Sequence, residues 1–219
     1  MSRLNRTIVA ALLLSFPALP VFADVMDFKG TGLTGAVTLH ASGTLADGQR
    51  VLVGQYLYGY QGNDYHAYCV DIDAWAGDSQ ATAVPLTGSS LNNRDLVGYL
   101  FETFARSVST DTAAAGLGVA IWEVMYESVS NAPDPLAGEF SISGNAAVAT
   151  AAAGYLATLP PSGSYTPDPL TTVLVSACKQ DMLMDLGAPI PEPASLSVLA
   201  LGAGLLLRRR RSRPARAAR

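Results

Sequence analysis

Hydrophobic and polar residues alternate through the first half of the central region. Residues 37–41 (VTLHA) and 50–60 (RVLVGQYLYGY) both show this period of two, which is typical of strands buried on one face. Asp47 and Gly48, which lie between them, form a common hairpin-turn pair. Residues 65–72 (YHAYCVDI) are a third run of strand length. The pattern therefore predicts three strands, of which the first two form a hairpin.

The pattern then changes to the spacing that is typical of helices. Apolar residues recur every three or four positions in residues 91–106 and 111–127, and an Ala-rich run follows at 145–158. Residues 171–177 (TTVLVSA) return to the composition of a strand. Strands, then helices, then a closing strand predict an α+β fold with sandwich- or barrel-like strands and a helical subdomain.

Composition and charge narrow the class of protein. The chain has 219 residues, of which 49% are apolar and 15% are charged. Wholesale disorder is excluded, because disordered chains combine low hydrophobicity with high charge. Residues 24–192 hold five Lys or Arg against eighteen Asp or Glu, a net charge of −13. Such an acidic body repels phosphate backbones, so we expect no nucleic-acid partner.

The first 23 residues have the layout of a secretory signal peptide. Arg3 and Arg6 precede an apolar stretch at residues 7–22, and small residues occupy the positions before the predicted cleavage point. The pattern predicts that signal peptidase cuts between Ala23 and Asp24. The protein is therefore expected to be exported.

Residues 189–219 combine three features in a fixed order. A Pro-Glu-Pro tripeptide comes first, an apolar segment at 194–207 follows, and an Arg-rich tail at 208–219 ends the chain. The apolar segment predicts a single transmembrane helix, and the positive charge beyond it indicates a cytoplasmic end. We therefore expect residues 24–188 to lie outside the inner membrane. The residues that define the signal are Pro191, Glu192, Pro193, Arg208, Arg209, Arg210 and Arg211.

This three-part arrangement resembles the PEP-CTERM sorting signal of Gram-negative bacteria. In that family a membrane protease, an exosortase, recognises the signal and cuts near the Pro-Glu-Pro. The body is then released or attached at the cell surface. The resemblance implies an inner-membrane precursor with a periplasmic body, followed by a cell-surface or secreted product.

Two short patches of the body, residues 68–71 (YCVD) and 120–124 (AIWEV), resemble thioester-domain adhesins. In that family a Cys forms an internal thioester with a Gln two residues before the Ala, and a surface nucleophile attacks the activated acyl group. The resemblance places the Cys at Cys69 and a glycine, Gly118, at the Gln position. Glycine has no carboxamide, so the resemblance implies a thioester-like domain over residues 24–188 that lacks the bond.

Three roles remain open for Cys69. It is a buried free thiol, a disulfide partner of Cys178, or a reactive nucleophile. The disulfide is considered because the chain is exported and has an even number of cysteines. A thioester with a shifted partner is a further alternative. The candidate amides for it are Gln55, Gln61, Gln80, Asn92, Asn93 and Gln180.

The remaining polar and aromatic residues add no catalytic motif. The chain lacks a P-loop, a G-x-S-x-G element and an HExxH sequence. His66 is three residues from Cys69 on a strand, so the two side chains are expected on opposite faces. The prediction is no cofactor and no metal site, with other residues in structural roles. These are a solvent-facing His40, a solvated turn at Asp71, Asp73 and Asp78, core positions for Trp75 and Trp122, and sheet packing for Tyr56, Tyr58 and Tyr60.

Together these features favour a non-enzymatic protein of the cell envelope or biofilm matrix. It would adhere without covalent bonds or serve a structural role, with an exopolysaccharide or a surface ligand as partner. The alternatives are an active covalent adhesin with a shifted amide and an enzyme that depends on Cys69.

Overall fold

A computed structural model describes residues 24–127 and 132–191. These residues form seven strands and three α-helices, so the predicted α+β class is confirmed. The strands are β1 Asp24–Ala41, β2 Arg50–Tyr60, β3 Asn63–Cys69, β4 Ser79–Pro85, β5 Phe140–Ser143, β6 Thr171–Ser176 and β7 Met182–Asp185. The helices are α1 Arg94–Phe104, α2 Asp111–Tyr126 and α3 Ala146–Leu156.

The seven strands form one antiparallel sheet that closes on itself. Their order is β2-β3-β7-β6-β4-β1-β5, and β1 also pairs with β2. The closure lies near the start of β1, where Met26 is opposite Tyr60 on one side and Ser79 on the other. Six strands therefore form a ring, and β5 adds to the far end of β1, where Leu39 is opposite Ile142.

Strand alternation fills the inside of this ring with large side chains. The strand registers place Tyr58 opposite Phe28 and Tyr65, and Cys69 opposite Met182, all on the inner face. The Tyr56, Tyr58 and Tyr60 row belongs to the same face and is buried, so the prediction of sheet packing is confirmed. Buried inner-face residues include Met26, Tyr56, Tyr58, Tyr60, Tyr65, Ala67, Cys69, Leu174, Met182 and Met184.

The three helices cover the outer face of the ring, with α2 in the middle. The Thr110 side chain caps α2 by accepting a hydrogen bond from the backbone N–H of Ala113 at 3.2 Å. Every residue of α2 from Ala114 to Met125 is buried, as expected of a helix that is apolar on all sides. A Cβ at Gly116 would lie 2.6 Å from the Cβ of Ala151, so the small side chains let α3 lie close against α2.

Both ends of the described body lie at the turn between β2 and β3. At the first residue, the Asp24 carboxylate accepts a hydrogen bond from the Gln61 side chain at 2.6 Å. Near the last residue, the backbone N–H of Ile190 donates to the carbonyl of Asp64 at 2.7 Å. The chain therefore enters and leaves the body at one end of β2.

The structure confirms the predicted hairpin and the three helices with shorter bounds. It also shows strands that the pattern missed, namely β4, β5 and β7, so residues 171–176 are not the last strand. Trp122 is buried as predicted, but the core position predicted for Trp75 is wrong, because half of that side chain is exposed.

The predicted targeting segments lie almost entirely outside the described residues. Residues 1–23 and 192–219, with the signal peptide, the apolar segment and the arginines, lie outside the described residues. Asp24 is the first residue of β1, and Pro191 is exposed at the last described position. Across 24–127 and 132–191, no helix has the length and apolar character needed to cross a membrane.

Candidate functional site

Cys69 ends strand β3 with its side chain inside the ring. The Cys69 Sγ–H donates to the backbone carbonyl of Asp71 at 2.9 Å, and the Asp71 N–H donates back to Sγ at 3.4 Å. Burial removes the thiol from water and raises the pKa of Cys69 to about 12. The site therefore holds a protonated thiol with local backbone partners, whereas a nucleophilic cysteine needs a lowered pKa and access.

Helix α2 reaches this cysteine through the tryptophan of the AIW segment. Trp122 Nε1–H donates to the backbone carbonyl of Cys69 at 2.9 Å, and both residues are buried. The two sequence patches that resemble the thioester family are thus brought together in space. The contact is structural, because it fixes the end of β3 against α2 through a backbone atom.

Gly118, one turn before Trp122, is packed against strand β2. A Cβ on Gly118 would lie 2.6 Å from Val53 Cγ2 and 3.2 Å from the backbone nitrogen of Gly54. These distances leave no room for a larger side chain without displacement of the strand. The position that the resemblance assigns to glutamine is therefore filled by the backbone and side chain of β2.

The alternative amides are engaged elsewhere or exposed. Gln55 lies on the outer face, opposite Tyr68, and its Nε2–H donates to the carbonyl of Ala105 at 3.3 Å. Asn92 and Asn93 donate to the last carbonyls of α2, whereas Gln61 and Gln80 are exposed. Gln180 is the remaining candidate amide. It is buried, and the segment that contains it pairs with the residues that follow Cys69, since the backbone N–H of Val70 donates to the carbonyl of Asp181.

Cys178 does not meet Cys69 in the structure. Strand β7 does lie beside β3, with Met182 opposite Cys69, but Cys178 is in the turn between β6 and β7 and is exposed. Both cysteines are free, so the disulfide considered from the sequence is not formed. The physical reason is orientation, because one thiol points into the ring and the other is on the surface.

A cavity of about 270 Å³ lies beside this site and includes Trp122 in its wall. Trp75, half exposed, and Leu52 form part of its rim, and Arg50 is an exposed cation beside them. Gln180 is only 7% exposed, lines the cavity, and among the described residues its Oε1 has no hydrogen-bond partner. The cavity therefore combines aromatic rings with an amide and a guanidinium group.

The polar residues considered from the sequence have structural roles. His66 and Cys69 lie on opposite faces of β3, as predicted, and exposed His40 bonds to the Ser143 hydroxyl. The carboxylate of Asp73 accepts the backbone N–H of Leu45. Similar backbone contacts involve Asp71 and Asp78. Within the part of the chain that the structure describes, no three acidic, His or Cys residues form a metal-binding group.

Glu123 is a buried charge that sequence reasoning missed. It lies on α2 with 0% exposure, and its Oε1 accepts the backbone N–H of Asp134 at 2.8 Å. Burial, with smaller contributions from the nearby Glu127 and Asp134 carboxylates, raises the pKa of Glu123 to about 7. A carboxylate between Trp122 and Val124 in an apolar helix was the available signal, since unpaired acids are seldom fully buried.

Comparison of the chain with family models, with curated proteins and with solved structures gave no match. Its function must therefore be inferred from the residues and from their geometry.

Proposed function

We propose that this chain is the precursor of an exported envelope or matrix protein that is sorted by an exosortase. Its body is a thioester-like domain that makes no thioester and acts by non-covalent adhesion or as a structural component. The support for sorting is the order of the two terminal signals along the chain. The support for non-covalent action comes from the geometry around Cys69.

The observation that carries the proposal is the burial of Cys69 next to a helix with no room for an acyl donor. The thiol is protonated, points into the ring and bonds to the backbone of Asp71. Gly118 contacts Val53 and Gly54, so a carboxamide has no space at that position. A covalent adhesin needs a carboxamide carbon within bonding reach of the Cys69 sulfur, and an enzyme with a Cys69 nucleophile needs an accessible sulfur that ionises.

The cavity with Trp75 is the part of the body best suited to hold a partner. The exposed ring of Trp75 provides a rigid apolar face, and the buried Gln180 amide and the exposed Arg50 guanidinium group supply hydrogen bonds beside it. This chemistry matches a saccharide, whose rings present apolar faces and whose edges present hydroxyl groups. We therefore assign an exopolysaccharide to this cavity as the partner.

Intact mass spectrometry of the protein recovered from cells tests the absence of the thioester. We expect a chain that starts at Asp24 and ends near the Pro-Glu-Pro, with no mass change on reduction and none with methylamine. The Cys69→Ala variant is the control and should show the same processing. A species lighter by one ammonia, which methylamine converts and which the variant lacks, would establish a covalent adhesin instead.

Deletion of the exosortase gene tests the sorting step. The body should then keep residues 194–219 and remain with the inner membrane. An unchanged mass and location in the deletion strain would show a plain membrane anchor.

Binding to exopolysaccharide extracted from the producing cells tests the partner. Trp75→Ala should weaken retention of the full-length protein on immobilised polysaccharide at least several-fold, because one aromatic face is lost. Leu136→Ala removes another exposed apolar side chain outside the cavity and should bind like the wild type. Equal losses in both variants, or no retention of the wild type, would contradict a saccharide partner.

A further inference from the structure

A second cavity, of about 310 Å³, lies on the other side of α2 and has no role in the proposal above. Glu123 of α2 and Glu127 just after α2 line it, together with Asn93 before α1 and Ser162 after α3. Each of these four residues has an oxygen that can accept a hydrogen bond. Among the described residues that line it, none is Lys, Arg or His.

Glu123, one of the residues that line this cavity, has one carboxylate oxygen that the described residues leave without a partner. Its Oε1 accepts the N–H of Asp134, whereas Oε2 is buried and has no hydrogen-bond partner among the described residues. A buried carboxylate that is not paired with a donor or an opposite charge is destabilising. A ligand that brings a cationic donor into the cavity would satisfy that oxygen.

The rest of the wall indicates what kind of cation fits. Leu96, Leu156 and Leu159 line the cavity, and the other lining residues that carry no polar side-chain group are Val124 and two prolines. Calcium needs about six to eight oxygen ligands. The side chains of this wall carry six oxygens, and Glu123 Oε1 and Glu127 Oε2 already accept backbone N–H groups, so at most four remain. An apolar wall with one carboxylate oxygen free to accept a hydrogen bond, that of Glu123, suits an organic cation in which an ammonium group is attached to an apolar body.

We propose that this cavity binds a small primary amine in its ammonium form, with Glu123 Oε2 as the acceptor and the leucine wall around the apolar body. The ligand is a free small molecule, because a cavity of about 310 Å³ matches the lower end of small-molecule pockets.

The charges around Glu123 agree with a cationic ligand. Glu127, the residue that caps the end of α2, and Asp134 are the charged groups that act on it, and both are acidic. Helix α3 contributes no charged residue, and on α1 the Asp95 carboxylate accepts the N–H of Gly163 beside Ser162. The burial that raises the pKa of Glu123 to about 7 also makes binding depend on pH, since only the carboxylate attracts the ammonium group.

Isothermal titration calorimetry of the full-length chain in a non-ionic detergent tests the proposal, with benzylamine as the probe. Benzyl alcohol is the neutral probe of similar shape, and benzoate is the anionic one. Benzylamine should bind roughly tenfold more tightly at pH 8 than at pH 6, because about that factor separates the ionised fractions of Glu123. At pH 8 the alcohol should bind at least several-fold more weakly, and benzoate should not bind.

Glu123→Gln supplies the decisive variant. The amide keeps an acceptor for the Asp134 N–H and nearly the same shape, so the fold should persist, as a thermal melt would verify. The variant should bind benzylamine and benzyl alcohol alike and show no dependence on pH. Glu139→Gln neutralises an exposed carboxylate and keeps the backbone N–H that donates to Glu127, so it should behave as the wild type.

Two results would overturn the amine site. One is equal binding of benzylamine and benzyl alcohol by the wild type at pH 8, including no binding of either. The other is benzylamine binding that Glu123→Gln leaves unchanged. Saturable calcium binding that Glu123→Gln abolishes, without amine binding, would replace the ammonium ligand by a metal ion and would also contradict the proposal.

Discussion

Gly118 packs directly against strand β2. Elsewhere, an alanine in place of a helical glycine is favourable by about 1 kcal/mol, because alanine has the higher helix propensity. Here the new Cβ would lie 2.6 Å from Val53 Cγ2 and 3.2 Å from a backbone nitrogen. We expect Gly118→Ala to lower the free energy of unfolding by about 1–3 kcal/mol, as overpacking does.

Gly154 provides the matched control on helix α3. It is an exposed helical glycine, and a Cβ added there would have no neighbouring atom within 4 Å, so Gly154→Ala should stabilise the fold by about 0.4–1 kcal/mol. Urea denaturation of both variants measures whether each substitution raises or lowers the free energy of unfolding. A stabilised Gly118→Ala would show that α2 has more room than the structure indicates.

The two cysteines should differ sharply in reactivity. Cys178 is exposed, whereas Cys69 is buried and its pKa is raised to about 12, so its thiolate is scarce at neutral pH. We expect iodoacetamide to label Cys178 quickly in the native protein and Cys69 only after denaturation. Peptide mass analysis over time distinguishes the two. Fast, pH-dependent labelling of Cys69 would favour the enzyme alternative.

At the scale of elements, the start of α2 depends on one side chain. Thr110 accepts a hydrogen bond from the N–H of Ala113, and Thr110→Ala should cost about 1 kcal/mol of stability in thermal or urea unfolding. Thr150→Ala on α3 is the control. The Thr150 hydroxyl only bonds back to the carbonyl of Ala146, so its loss should be close to neutral. A neutral Thr110→Ala would show that packing alone holds α2.

Periodicity predicted β2 and the three helices well, but it found only residues 37–41 of the 18-residue β1 and missed β4, β5 and β7. The strand at 50–60 and the helix at 111–127 had clear patterns, and the structure confirms both within one residue. Strands β5 and β7 have four residues each, too few for a period to be visible, and they are defined by their partners across the sheet. The closure of the ring depends on pairings between distant parts of the chain, which no local pattern contains.

Because local patterns do not contain contacts between distant residues, only part of the candidate sites could be predicted from the sequence. The resemblance in sequence placed Cys69 and the AIW segment in one site, and the structure brings them together through Trp122. The exposed position of Trp75 could not be predicted, because a tryptophan near an apolar run is usually buried. The cavity around Glu123 joins three helices and a loop, so it exists only after folding.

For the whole molecule, stability should depend on pH through Glu123. The folded pKa of about 7 is above the unfolded value of 4.5, so between these values the folded state binds more protons. Stability should therefore fall as the pH rises from about 4.5 to 7 and stay lower above that range. Relative to the wild type, the stability of Glu123→Gln should rise by about 1–2 kcal/mol between pH 5 and pH 8.

Urea unfolding of both proteins at several pH values measures this difference. Glu139→Gln, at an exposed position, should show no comparable gain. If the free energy of unfolding of Glu123→Gln changes with pH in the same way as that of the wild type, the buried carboxyl does not titrate in this range.

Both ends of the described body lie at the β2–β3 turn, and this would set how the body stands on a bilayer. A precursor held by a leader and by a tail would be tethered from a single pole, beside Asp24 and Ile190. Strand β2 runs from that pole to Arg50, roughly 33 Å away at the rise of an extended chain. The rim at Arg50 and Leu52 would then point away from the bilayer. If either tether were cut, the remaining one would still hold the body in that orientation.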